Sequence, residues 1–173
     1  CMFSPRDQDL ERGWPGRIDG ETVIQLAAQT LQAFFTGGGT AREHAKYPLA
    51  EVVFRAPVLH PPSVRIFDDT GDFLFANPAA IRAVGEEPGV EGAEQMERVA
   101  AIIGADGAIG GFTPFLEWTA PQLHGAKQRD FAFTLGPVVT TADEGEPPGV
   151  DWEQLVAHAA ENTTLFPGDL IVR

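Results

Sequence analysis

Apolar positions fall in short clusters divided by glycine, proline and acidic residues, which predicts many short elements and few long ones. Val23, Leu26, Ala27, Leu31, Phe34 and Phe35 recur at helical spacing. The run stops at Gly37-Gly38-Gly39, where glycine takes the left-handed conformation that ends helices, so a core-packing helix is expected over 22–36. The triplet trails that helix and no Gly-Lys-Ser/Thr follows, which argues against a phosphate loop. Residues 1–20, broken by Pro5, Gly13, Pro15, Gly16 and Gly20, read as an irregular lead-in. Residues 51–55 and 63–67 are β-branched runs joined by a stiff Pro57, Pro61, Pro62 connection and predict two strands. The turn Asp68-Asp69-Thr70-Gly71-Asp72 leads to a third, Phe73-Leu74-Phe75.

Asn77 as N-cap and Pro78 at the first helical position predict a short helix running through 79–84. Residues 97–104 end in Val99-Ala100-Ala101-Ile102-Ile103, a continuous apolar run expected to be buried on both faces and closed by the turn Ala105-Asp106-Gly107. A further strand is expected over 131–140, bent at Gly136-Pro137. Asp151 caps a last helix whose Trp152, Leu155, Val156 and Ala159 share a face, and Pro167-Gly168-Asp169 turns into Leu170-Ile171-Val172. The fold class is β-rich α+β: an N-terminal portion over 1–50 holding the lead-in and helix, and a β-rich core over 51–173.

Composition narrows the function. The chain has 173 residues, enough for one domain with a real core, and its 25 acidic against 12 basic residues give a net charge of −13. That field repels phosphate backbones and anionic membranes, so neither nucleic acid nor membrane is an expected partner. Cys1 is the single cysteine, which excludes an intrachain disulfide and a cysteine metal site. No apolar run reaches about 18 residues. The expected setting is cytoplasmic.

Several segments in order resemble the fumarylacetoacetate hydrolase family. These are Ala56-Pro57 before Ser63-Val64-Arg65, then Phe75-Ala76-Asn77-Pro78, then Val99 to Gly104. Phe112-Thr113-Pro114-Phe115-Leu116-Glu117-Trp118-Thr119-Ala120 stands where that family has Asn-Asp-Trp-Ser-Ala-Arg-Asp, and Leu165-Phe166-Pro167-Gly168-Asp169 is similar to its late Pro-Gly-Asp turn. The resemblance spans most of 20–172. It implies a twisted, barrel-like or sandwich-like β core with a small N-terminal helical portion, a homodimer, and a small-molecule substrate of the keto-acid kind handled with Mg²⁺ or a similar ion.

The resemblance also implies a ligand set, and this sequence departs from it. The family's first Asp falls at Ile66, its Glu-x-Glu pair at Met96 and Arg98, and only Glu117 keeps a carboxylate. Ile and Met offer nothing to a hard cation and a guanidinium repels it, so the expectation is no metal and no cofactor. A shifted Mg²⁺ set of Glu94, Glu97 and Glu117 is the alternative. The family's Gln and Lys fall at His124 and Arg129, and the lid insertion with its catalytic His is missing between Phe67 and Phe73. The expected catalytic residues are therefore Glu117, His124 and Arg98, with Arg129, Lys127, Trp118 and Thr134 binding substrate. Arg98, held by Glu117, would stand in for the ion on an enolate, and His124 would carry the proton in a decarboxylation, dehydration, tautomerisation or cyclisation. A second expectation is a pseudoenzyme or small-molecule binding module in which the Arg98–Glu117 pair is only a structural tie.

Overall fold

A computed structural model describes residues 1–8 and 10–173. The first sheet joins β1 (Met2–Pro5), β2 (Trp14–Asp19), β3 (Thr22–Leu26), β4 (Glu43–Pro48) and β5 (Val52–Arg55) in the order β4-β3-β2-β1-β5, all antiparallel. The lead-in read as irregular is thus two strands. Gly16 explains why glycine belongs there: a Cβ would stand 2.6 Å from Val23 and 2.7 Å from the Phe3 ring, so only a bare backbone lets β1, β2 and β3 close over Phe3. The predicted helix over 22–36 is also corrected. Val23 and Ile24, adjacent and both buried, belong to β3, and the helix is only α1 (Leu31–Thr36), capped by the Thr30 side chain accepting from Ala33 N. Pairing with β2 and β4 overrides the helical spacing of this segment.

The second sheet holds β6 (Val64–Phe67), β7 (Phe73–Ala76), β8 (Ile81–Arg82), β9 (Glu94–Ile103), β10 (Ile109–Thr119), β11 (Phe133–Leu135) and β13 (Leu170–Val172). Their order is β7-β6-β13-β9-β10-β11-β8, with the two-residue β12 (Thr140–Thr141) added beside β10. The sheet curls into a half-barrel. Val64, Ile66, Ala100, Ile102, Phe115, Phe133, Leu170 and Val172 fill its inner face together with Leu31 and Phe35 of α1. Phe67, Ala101, Ile103, Phe112 and Ile171 on the outer face pack under α2 (Trp152–Ala160), whose cap is Asp151 accepting from Gln154 N. Ala100 to Ile103 are fully buried, as two covered faces require. The helix expected over 79–84 is one 3-10 turn, Pro78–Ala80, capped by Asn77, after which Ile81 and Arg82 pair in parallel with β11.

Candidate functional site

The longest ladder in the molecule positions the site. β9 and β10 pair antiparallel from Ile103 opposite Ile109 out to Glu94 opposite Thr119, and between them Asp106 at φ 53 and Gly107 at φ 78 make the turn. Side chains alternate, so Met96, Arg98, Ala100 and Ile102 share the inner face with Phe115 and Glu117, while Glu97 and Trp118 take the outer one.

Glu117 is 1% exposed and lies between two arginines. Arg98 Nε donates to Glu117 Oε2 at 2.8 Å and its Nη1 to the Phe67 carbonyl at 3.4 Å. Arg129 donates to Glu117 Oε1 through Nε at 2.7 Å and also through Nη2. A carboxylate buried this deeply needs such partners, and here it has more cation than it can neutralise: two guanidiniums against one carboxylate leave one positive charge. The Arg98 side chain is 17% exposed and Arg129 42%, so that charge reaches solvent through Arg129. Each guanidinium keeps further N–H donors beyond those spent on Glu117, in the planar arrangement that suits a carboxylate.

The other expected site residues disperse. Trp118 Nε1 donates to the Thr134 hydroxyl at 2.9 Å, and Thr134 pairs opposite Leu116, so both lie on the outer face, away from Glu117. Strand alternation sets this arrangement: neighbours 117 and 118 cannot point the same way in a regular ladder. Lys127 is exposed and pairs with Asp130 at 2.9 Å, and His124 is exposed at the head of the 3-10 turn Gly125–Gln128, without a hydrogen bond or ion pair among the described residues. That turn ends on Arg129. The Phe67 carbonyl was not among the expected site groups; no side-chain signal marks a backbone acceptor.

The donor set does not fit a divalent cation. Such ions need several oxygen ligands, whereas Ile66 is buried and apolar, Met96 is exposed, and both Glu117 oxygens are taken by guanidiniums. The shifted set fails on geometry, since Glu97 stands opposite Leu116 on the outer face. No group of three or more His, Cys, Asp or Glu able to hold an ion occurs among the described residues.

No protein-family profile and no curated protein sequence matches the chain. Solved structures do. Maleylpyruvate hydrolase from Sphingobium sp. SYK-6 is 20% identical at a TM-score of 0.76, covering 99% of this chain and 86% of that one. The same hydrolase in complex with manganese(II) and pyruvate gives 21% and 0.73, covering 98% and 85%. 2-Keto-3-deoxy-D-arabinonate dehydratase with magnesium and 2,5-dioxopentanoate gives 15% and 0.69, covering 94% and 84%. These neighbours correct the expectation of no cofactor: their manganese and magnesium complexes show that the fold houses a divalent ion, although the residues here do not reproduce a ligand set for one. At these identities the likeness speaks for the fold, and it agrees with the order of motifs along the sequence: the chain has the fumarylacetoacetate hydrolase fold.

Proposed function

We propose that the chain binds a small 2-keto acid through Arg98 and Arg129 and promotes proton transfer at the carbon next to the keto group. The observation that carries this is the Glu117 cluster, a buried carboxylate outnumbered by guanidiniums, one of which opens to solvent. In a chain of net charge −13, a localised positive site with free planar donors selects a small anion over the rest of the surface. The neighbours complexed with pyruvate and with 2,5-dioxopentanoate support that class of anion. In the proposed step a base removes a proton from the carbon beside the carbonyl, the C–H pair forms a C=C bond as the C=O π pair moves onto the keto oxygen, and guanidinium N–H groups stabilise that oxyanion. His124 is the proposed proton carrier, since its exposed imidazole heads the turn that ends at Arg129.

A binding module is the second reading. It is favoured by the tight turn in which Asp68 N donates to Asp72 O, which leaves no lid between β6 and β7. Pyruvate in D₂O separates the two. Loss of its methyl proton signal by deuterium exchange, abolished in His124→Ala, supports catalysis. Binding without exchange leaves the module, and no pyruvate binding at all overturns both.

A further inference from the structure

A sizeable cavity lies far from Glu117, at the other end of the same hairpin. It measures about 740 Å³, within the range of roughly 300–1,000 Å³ that small-molecule sites occupy. Arg98 precedes Gly104 on its wall by six residues of strand, or roughly 20 Å at ~3.3 Å per residue. The cavity opens between the first sheet with α1 on one side and the β9–β10 turn with residues 138–144 on the other.

Part of its wall is apolar and built for close approach. Leu31 and Phe35 of α1 and Leu26 of β3 are buried there. The Phe35 ring lies on bare backbone, since a Cβ at Gly110 would stand 2.6 Å from it, and a Cβ at Gly111 would stand 2.6 Å from the Thr140 carbonyl. These contacts fix the floor in advance, as a preformed site requires. The rim is acidic. Glu144 is held there by the Thr141 N–H and hydroxyl, both donating to Oε2 at 3.0 Å, with Asp143 beside it. The single basic side chain among the lining residues, Arg17, is already paired with Glu43 and Asp19. Cys1 on one wall is buried.

We propose that this cavity is a second ligand site, for a small organic cation with an apolar body, of the size of an arylalkylamine. The apolar part of the wall takes the body and Glu144 with Asp143 take the ammonium. The site is opposite in charge preference to the Glu117 cluster and independent of it.

Three probes of one shape and different charge test this by titration calorimetry: 2-phenylethylamine, 2-phenylethanol and 3-phenylpropionate. The amine is expected to bind, the alcohol roughly tenfold more weakly, as loss of one partly screened ion pair implies, and the acid least. Glu144→Gln is expected to bring the amine down to the level of the alcohol. Thr40→Trp, at an exposed cavity position, is expected to abolish binding of both while pyruvate binding is unchanged. Should either variant fail a thermal-unfolding check, Asp143→Asn replaces it, with an expected weakening of the amine alone. Equal affinity for the three probes, no binding of the amine, or binding indifferent to these substitutions overturns the proposal.

Discussion

Two buried ion pairs of this protein look alike in a sequence and behave differently in the fold. On the outer face Arg65 and Asp169 stand 3.7 Å apart, with side chains 6% and 2% exposed. The Ser63 hydroxyl bridges them, accepting from Arg65 Nη1 at 2.7 Å and donating to Asp169 Oδ1 at 2.6 Å, while Phe166 N donates to Oδ2. The Arg65 guanidinium also lies over the Phe73 and Phe75 rings. One charge meets one charge, and solvent is shut out. On the inner face Glu117 meets two arginines, and one of them reaches solvent. The first arrangement ties β6 to the Pro167-Gly168-Asp169 turn. The second keeps an unspent positive charge at an accessible place, and that difference separates a structural tie from a candidate site.

Substitutions that break each arrangement should have different consequences. Asp169→Ala strands Arg65 in a sealed place and is expected to cost about 3–5 kcal/mol in urea denaturation, part of it regained when Arg65→Met is added. Glu117→Gln removes hydrogen bonds to charged partners and is expected to cost about 2–3 kcal/mol, yet to tighten pyruvate binding by calorimetry, because two guanidiniums then lack a carboxylate. Arg129→Ala should change stability by no more than about 1 kcal/mol, since that side chain is partly solvated, while weakening pyruvate at least about tenfold.

Smaller effects sharpen the contrast. Trp118→Phe loses the bond to Thr134 and is expected to cost about 1 kcal/mol with pyruvate affinity unchanged, because that bond is on the other face of the sheet. The smallest is a pH effect in the turn after β6. The Thr70 hydroxyl and N–H, bonded to Asp68, hold its carboxyl below the usual range. A depressed pKa stabilises the fold above the unfolded-state value and ceases to do so as pH falls through the folded one. The thermal midpoint of Asp68→Asn should therefore lie slightly below that of the parent at neutral pH and converge with it in acid.

The parts of this picture visible in the sequence are those where local chemistry and tertiary pairing agree. The apolar run ending at Ile103, the Asp106-Gly107 turn and the Asp151 cap each carry their signal within a few residues. Where partners come from afar, local reading fails: Val23 and Ile24 look helical until β2 and β4 flank them, and Gly16 looks like a breaker until Phe3 needs the space. Trp118 reads as a substrate-binding residue where 112–120 is taken as a motif, whereas Ile109–Thr119 is a strand that turns it to the face opposite Glu117. The alternation that separates Glu97 from Arg98 separates Trp118 from Glu117 too.

Titration of pyruvate into the parent protein and Arg129→Ala, each in chelator and in excess Mn²⁺, tests the central claim most directly. The arginine cluster predicts binding that the substitution weakens at least about tenfold in both conditions. Binding that appears only with Mn²⁺ and is indifferent to Arg129 would contradict it.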